Sequence, residues 1–174
     1  MALIKACRDK SPSYGKNCWF AENATIVGDV QMGDNCSIWF SAVVRGDVNS
    51  IVLGNNCNVQ DGAVIHCTYE RSQTILGNNV SIGHNAIVHG CVVDDNVLIG
   101  MGAIVMDNAH VPSNVIIAAG SVVLENSKLE PNSIYAGVPA KKVKELSKEK
   151  FEAEVKRIAQ NYTTYASWFS TQEE

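Results

Sequence analysis

Aliphatic residues recur at every sixth position along most of this chain, and this period constrains the fold more than any other feature. The recurring residues are Leu53, Val59, Ile65, Leu76, Ile82, Val88, Val93, Ile99, Val105, Val111, Ile117 and Val123. Neither the 3.6-residue period of a helix nor the alternation of an ordinary strand fits this spacing. A period of six, punctuated by Gly and Asn, predicts short strands joined by tight corners and stacked into a solenoid.

Interruptions of the six-residue step indicate how many hexads form one coil. The step breaks between Val27 and Met32, Val44 and Leu53, Ile65 and Leu76, and Val88 and Val93. If three hexads make a coil, all four breaks fall between the second and third faces. Insertions that leave from a single corner are typical of a triangular prism.

The hexads of the third face also share an asparagine at the same position. These residues are Asn35, Asn56, Asn79, Asn96 and Asn114. Asn is one of the few residues that tolerate a left-handed backbone, so stacked corners of one conformation favour it. The column agrees independently with the breaks and predicts a three-sided solenoid. The same phase gives Cys36 and Cys57 small interior positions, which predicts core packing rather than redox chemistry.

The six-residue pattern ends after Val123, and a charged segment follows Pro139. Within residues 141–168, apolar residues have a helical spacing, at Val143, Leu146, Phe151, Val155 and Ile158. Pro139 precedes them as a helix-entry signal. We therefore predict a β-helix domain over residues 1–140 and a C-terminal α-helix over residues 141–174. This helix would pack on a face of the solenoid, either its own or a neighbour's.

Composition excludes several classes of function. Charged residues are only 18% of the chain, which favours an oligomer with buried faces. A net charge of −4 without a Lys/Arg run argues against nucleic-acid binding. No apolar stretch is long enough to span a membrane, and the first residues lack the apolar core of a secretion signal. The six cysteines lack paired spacing, so we predict a cytoplasmic protein with reduced thiols.

Three histidines have positions in the hexad frame that predict a shared metal. His66 and His89 are second residues of second-face hexads on neighbouring coils, so their Cα atoms should lie roughly 4.8 Å apart. His84 belongs to the first face, and a neighbouring subunit could bring its copy to the pair in a cyclic trimer. Three imidazoles with an open fourth position are typical of catalytic zinc. The alternative is hydrogen bonding at a polar interface. His110 has no partner in the frame and is expected at the surface.

Several motifs around these histidines resemble the γ-class carbonic anhydrase family. They are Arg45-Gly46-Asp47, Val59-Gln60-Asp61-Gly62, His66 and the run from Gly83-His84 to Val88-His89, in the family's order across residues 15–140. The resemblance implies a left-handed coil and a homotrimer. It also implies Zn²⁺, or Fe²⁺ or Co²⁺, on His66 and His89 of one subunit and His84 of the next. A metal-bound hydroxide would then hydrate CO2 to bicarbonate.

The resemblance also implies roles for five further residues. Gln60 would orient the metal-bound water or CO2, and Tyr162 would lie over the site. Arg45 would pair with an acidic group across the interface, with Asp61 as the expected partner, and Asp47 would support the loop. The alternatives are a structural turn for Arg45 and Asp47, a structural role for Gln60, and ordinary helix packing for Tyr162.

The chain departs from the family at the residues that export protons. Active members carry glutamates near the metal, whereas here Val48 follows Asp47 and the loop 67–74 offers only Glu70. Without such a shuttle, a sound metal site can have little activity. Two other readings therefore stay open. One is a hexapeptide acyltransferase that uses acyl-CoA and a histidine as general base. The segment Gly137-Val138-Pro139-Ala140-Lys141 resembles the tail of such enzymes. The other is a catalytically weak trimeric scaffold.

Overall fold

A computed structural model describes residues 1–170 and contains a parallel β-solenoid of about seven turns, followed by a C-terminal helical segment. The strands are β1 (Leu3–Lys5), β2 (Ser13–Tyr14), β3 (Trp19–Phe20), β4 (Thr25–Met32), β5 (Ser37–Ile38), β6 (Val43–Leu53), β7 (Asn58–Val59), β8 (Val64–His66), β9 (Thr74–Leu76), β10 (Ser81–Ile82), β11 (Ile87–His89), β12 (Val92–Val93), β13 (Leu98–Ile99), β14 (Ile104–Val105), β15 (His110–Val111), β16 (Val115–Ile117), β17 (Val122–Val123), β18 (Ser133–Ala136) and β19 (Lys141–Glu145). The predicted left-handed β-helix of hexapeptide repeats with a C-terminal helix is confirmed.

The strands form the three predicted faces. On the first face, β3, β5, β7, β10, β13, β16 and β18 pair in parallel order. On the second face β8, β11, β14 and β17 are neighbours, and on the third β9, β12 and β15 are neighbours. The long strands β4 and β6 continue from the second face onto the third, and their mutual register shifts between Gly28 and Val30. The breaks in the six-residue step therefore lie at one corner, as predicted.

The interior of the prism is filled by the recurring aliphatic residues. All twelve that define the period between Leu53 and Val123 are at most 2% exposed. Each coil adds one such side chain per face, and parallel pairing stacks it directly on the next, as with Ile82 and Ile99. Truncation of a single buried Ile or Leu to Ala costs about 2–5 kcal/mol in such a core.

The asparagine column has the predicted left-handed conformation. The five predicted residues have φ between +56° and +61°, and Asn17 and Asn132 extend the column at its two ends with φ of +56° and +53°. Their side-chain amides also form a ladder along the solenoid, with Asn56 Nδ2 donating to Asn79 Oδ1 at 3.0 Å and Asn79 Nδ2 donating to Asn96 Oδ1 at 2.9 Å. The column thus stabilises the corner through both backbone and side chain.

All six cysteines are free thiols, and Cys36 and Cys57 are buried in the core as predicted. Their thiols donate to the carbonyl oxygens of Gly54 and Gly77, each at 3.1 Å. A hydrogen bond with Cys18 lowers the pKa of Cys36, but Cys57 and burial outweigh it and raise that pKa to about 12. A thiol with so high a pKa is unreactive at neutral pH.

The C-terminal segment differs from the prediction at its start. Residues Lys141–Glu145 are not helical; they form β19, which pairs antiparallel with β18. This pairing satisfies the backbone groups of an edge strand and leaves Val143 60% exposed, so tertiary hydrogen bonding overrides the helical spacing. The helical segment comprises α1 (Lys148–Lys150), a π-helical stretch (Phe151–Lys156) and α2 (Arg157–Ser170). Residues 171–174 lie outside the described residues, and the domain division at residue 140 stays a prediction.

The helical segment packs on the first face of its own solenoid. Val155 is 1% exposed and packs against Ile116 and Ile134, and Leu146 and Phe151 add to the same cluster. This packing creates a groove between α2 and the first face. Among residues 1–170, none of the helical elements combines the length and the hydropathy that a membrane span requires.

Candidate metal centre

His66 and His89 form a pair on the second face. Strands β8 and β11 are parallel, and their register sets His66 opposite His89, as the hexad frame predicts. The rings approach with His66 Nδ1 at 3.2 Å from His89 Nε2. The two side chains are 17% and 30% exposed, so the pair is partly sheltered but open to solvent.

A carboxylate contacts the outer nitrogen of each ring. His66 Nε2 lies 3.0 Å from Asp47 Oδ1, and His89 Nδ1 lies 2.8 Å from Asp107 Oδ2. A ring nitrogen that faces a carboxylate carries the hydrogen, which leaves the other nitrogen of a neutral imidazole as a lone-pair donor. Two lone pairs would then face each other at 3.2 Å. A cation between the rings would satisfy both of them.

Both carboxylates are held in their ionised form. Burial tends to raise the pKa of Asp47, but hydrogen bonds from His66 and Arg45 and the charge of Arg45 hold it below its usual range. Burial likewise opposes ionisation of Asp107, whereas hydrogen bonds from Ser72, Thr68 and His89 lower its pKa to about 2. The histidine pair is therefore flanked by two negative charges at neutral pH, which favours a cation at its centre.

His84 lies on the first face and contacts a different set of groups. Its Nδ1 is 2.8 Å from Asp61 Oδ2, and its Nε2 is 3.4 Å from the Tyr162 hydroxyl. Tyr162 lies on α2, with its ring edge-on to Trp39 at a centroid distance of 5.1 Å. Burial and the nearby Asp61 charge raise the pKa of Tyr162 to about 12, so its hydroxyl stays protonated. Within residues 1–170, no cluster of three or more metal-binding side chains forms in one chain.

Two further predicted residues have contacts that differ from the expected ones. Arg45 pairs with Asp47 within the chain, and Asp61 pairs with His84. The expected Arg45–Asp61 contact across an interface stays a prediction, since one chain is described. Gln60 is only 5% exposed and donates from Nε2 to Asn58 Oδ1 at 3.0 Å, so its amide is buried and hydrogen-bonded at the first face.

A cavity of about 350 Å³ lies between the first face and α2. Gln60, His84 and Tyr162 line it together with apolar side chains such as Leu98, and Glu154 lines it from the helical segment. Sequence reasoning did not single out Glu154, because nothing in the helical spacing shows which solenoid residues it will face. The predicted roles of Gln60 and Tyr162 stay predictions, but both residues share a cavity with His84.

Glu70 and His110 border another groove. Both line a polar groove that Asn49 and Ser72 also border, apart from the cavity beside His84. His110 is exposed as expected, but it is not without a partner, because its Nε2 lies 3.0 Å from Asp94 Oδ2. This exposed His–Asp pair resembles His89–Asp107 in composition and is a natural control for it.

Sequence reasoning also missed Asp107 and its two hydroxyl donors. Asp107 is the third residue of a second-face hexad, one coil beyond His89, and Thr68 and Ser72 belong to the loop that follows His66. The hexad frame could have shown that Asp107 is close to His89. It could not have shown the loop contacts, because insertions do not obey the period.

The donor set and the spacing of the histidine pair fit a zinc-type ion. Imidazole nitrogens suit Zn²⁺, Fe²⁺ and related ions. Two nitrogens at about 2.0–2.1 Å from a tetrahedral ion are about 3.4 Å apart. The separation of 3.2 Å between the inner nitrogens of His66 and His89 is close to that value. His84 contacts Asp61 and Tyr162 instead and is not part of this pair within residues 1–170.

Known proteins resemble this chain in both sequence and fold. No model of a known protein family matches the chain. It is 45% identical over 158 residues to a Methanocaldococcus jannaschii protein named "Probable carbonic anhydrase", covering 91% of this chain and 96% of that protein. It is 37% identical over 163 residues to "Gamma carbonic anhydrase 2, mitochondrial" of Arabidopsis thaliana, covering 91% of this chain and 58% of that protein.

A solved structure extends the comparison to the whole fold. A Bacillus cereus protein, provisionally named an acetyltransferase, superposes with a TM-score of 0.95 at 35% identity, covering 99% of both chains. The hexapeptide-repeat architecture is thus shared with a protein named for acyl transfer, while the sequence relatives are named for carbonic anhydrase activity. Identity of 45% over nearly the full length of both chains decides the family. The chain belongs to the γ-class carbonic anhydrase family.

Proposed function

We propose that this protein is a metal-dependent, carbonic anhydrase-like lyase that hydrates CO2 reversibly to bicarbonate at sites between the subunits of a homotrimer. One observation carries the proposal. Each of His66, His89 and His84 has one ring nitrogen on a carboxylate, and that carboxylate fixes the other nitrogen as a lone-pair donor. The exposed His110 also pairs with a carboxylate, so the distinctive feature is that the free nitrogens of His66 and His89 face each other at 3.2 Å.

An apolar stripe on the second face supports a subunit contact beside the histidine pair. The side chains that point outward, one position before each core residue, are Val43, Val64, Ile87, Ile104 and Val122, paired in register along the solenoid. Each of them is half-buried or exposed in the single chain. A continuous aliphatic row on an outer surface favours burial against a partner. A second copy docked there could bring its His84 to His66 and His89.

The residues of this chain would prepare the site for CO2. Asp47 and Asp107 hold the two rings with their inner nitrogens facing each other, and Asp61 does the same for His84. When bound, a zinc-type ion lowers the pKa of a coordinated water to about 7 and so supplies a nucleophile at neutral pH. Gln60 is buried in the wall of the cavity that His84 also lines, and its amide could orient CO2 or bicarbonate. The ion is proposed to be Zn²⁺, with Fe²⁺ or Co²⁺ as alternatives.

Each hydration also releases one proton, which must reach solvent. We assign this task to Glu154, because its carboxylate lines the same cavity as His84 and is 43% exposed. Glu70 is less suited, since it borders the other groove with His110. Arg157 Nη2 is 3.7 Å from Glu154 Oε2, which keeps the carboxylate near the cavity wall without burying it.

An acyltransferase function is the second candidate. It is supported by the His84–Asp61 pair, because a histidine oriented by a carboxylate is also a suitable general base. The cavity beside it has room for more than CO2. However, an acyltransferase needs a single histidine base, so this function does not explain the His66–His89 pair and its two carboxylates. A catalytically weak trimeric scaffold would explain the apolar stripe but not the carboxylates that contact the outer nitrogens of His66 and His89. The six free thiols support a reducing, cytoplasmic location.

Metal analysis of anaerobically purified protein tests the proposal, together with its mass in solution. We expect a trimer with about one zinc, iron or cobalt ion per chain, and CO2 hydration in a stopped-flow indicator assay. Loss of a residue that hydrogen-bonds to a metal ligand weakens metal binding by up to roughly 100-fold. His84→Ala removes a proposed ligand itself and should weaken metal binding by more than that. His110→Ala removes an exposed His–Asp pair elsewhere and should change neither measurement. A metal-free wild-type protein that acetylates a small amine from acetyl-CoA would contradict the proposal.

A further inference from the structure

We propose that Asp107 is the positioning residue for His89, and that it also latches the loop of residues 67–73 against the histidine pair. The inference rests on the proposed function, since it concerns a residue that serves the metal site. It adds a role that neither the motifs in the sequence nor the pairing of Arg45 with Asp47 indicates.

Asp107 uses its two carboxylate oxygens for different partners. Oδ2 accepts from His89 Nδ1 at 2.8 Å. Oδ1 accepts from Thr68 Oγ1 at 2.7 Å and from Ser72 Oγ at 2.6 Å. The hydroxyls orient the carboxylate, so the oxygen that faces the ring has a fixed direction. His89 is then held as the tautomer with hydrogen on Nδ1, and its Nε2 is left for a metal.

The same contacts connect the two histidines through the loop. Residues 67–73 begin directly after His66, and Thr68 and Ser72 return to the carboxylate that holds His89. The backbone N–H of Thr68 donates to Ser72 Oγ at 3.0 Å, which closes the loop on itself. Release of Asp107 would therefore loosen the residues next to the first ligand as well as the ring of the second.

Gly90 provides an independent sign that this arrangement is closely fitted. It follows His89 with a φ of +58°, and a Cβ built at this position would lie 2.1 Å from Ser72 Oγ and 2.4 Å from Asp107 Oδ1. Any side chain would push the loop hydroxyl and the carboxylate apart. A glycine here lets loop, carboxylate and ligand strand approach one another.

Substitution of Asp107 tests the role in two ways. Long-range ¹⁵N NMR of the metal-free trimer should show His89 as the Nδ1–H tautomer in wild type and a mixture with the Nε2–H form in Asp107→Ala. Chelator competition with Zn²⁺ should show binding about 10- to 100-fold weaker in Asp107→Ala. Asp107→Asn keeps an acceptor of similar shape, so it should fold and retain more of the Nδ1–H form while losing part of the affinity. Thr68→Val with Ser72→Ala should lower affinity less than Asp107→Ala does, and should speed hydrogen exchange in residues 67–73.

Asp94→Asn is the matched control, because it removes the carboxylate of the exposed His110–Asp94 pair. It should leave the His89 tautomer and the Zn²⁺ affinity unchanged. The inference is overturned if Asp107→Ala or Asp107→Asn keeps His89 wholly in the Nδ1–H form and binds Zn²⁺ within about threefold of wild type. Failure of wild type to bind any metal would refute the proposed function instead, and the tautomer in metal-free protein would still decide the role of Asp107.

Discussion

Asn79 lies in the middle of the asparagine column, and its replacement by Ala should destabilise the solenoid without changing the candidate metal centre. Asn79 has a φ of +56°, which costs an alanine about 1–2 kcal/mol. Its side chain also takes part in two ladder hydrogen bonds, from Asn56 and to Asn96, at 3.0 and 2.9 Å. At about 0.5–1.5 kcal/mol for each bond, their loss adds about 1–3 kcal/mol. Because Asn itself bears part of the left-handed cost, we expect a total near 2–4 kcal/mol.

Asn79→Gly separates the two contributions. Glycine loses the same hydrogen bonds but adopts a positive φ freely, so Asn79→Gly should be less destabilising than Asn79→Ala by about 1 kcal/mol. Urea unfolding at one fixed protein concentration measures both variants, since the stability of an oligomer depends on concentration. The reasoning is refuted if Asn79→Ala lies within about 0.5 kcal/mol of wild type, or if Gly is as destabilising as Ala.

Three further outcomes are expected. Glu154→Gln should lower kcat for CO2 hydration about tenfold with kcat/KM little changed, and imidazole buffer should restore kcat. Glu70→Gln should leave kcat unchanged. Equal losses of kcat in both variants would exclude proton export through the cavity beside His84. Burial keeps the pKa of Tyr162 in the folded protein near 12, above its value in the unfolded chain. The unfolded state therefore ionises first, and the free energy of unfolding should fall between pH 10 and 12. Tyr162→Phe should lessen that fall in denaturant titrations. Val155→Ala removes two buried methyl groups under the helical segment and should cost about 1–3 kcal/mol; urea unfolding should show this loss, while circular dichroism retains the β-sheet signal.

The functional consequences of the structure depend on contacts between neighbouring coils. His66 and His89 are 23 residues apart in the chain but opposite each other in the sheet. Parallel pairing at a fixed register converts that separation into a contact between rings. The hexad frame predicted this contact because a solenoid repeats its geometry from coil to coil.

Other parts of the candidate site could not be read from the period. The loop of residues 67–73, the strand β19 and the facing of α2 all lie outside the hexads. Their positions depend on which hydrogen bonds and apolar contacts are available in three dimensions. Lys141–Glu145 are the clearest example. The spacing of apolar residues in this segment predicts a helix, but the segment forms an edge strand paired with β18. Glu154 faces the His84 cavity for the same reason.

The sequence by itself determined the three-sided solenoid, its phase and the column of left-handed asparagines, because each repeats with a period that only one stacking satisfies. It also determined that His66 and His89 share a column while His84 does not. Only the tertiary structure decided which ring nitrogens face carboxylates, that Asp107 holds His89, and that the C-terminal segment begins as a strand before α2 covers the first face. The loop hydroxyls that orient Asp107 and the C-terminal strand lie where the repeat is interrupted, and a six-residue period does not set the direction in which a ring nitrogen faces.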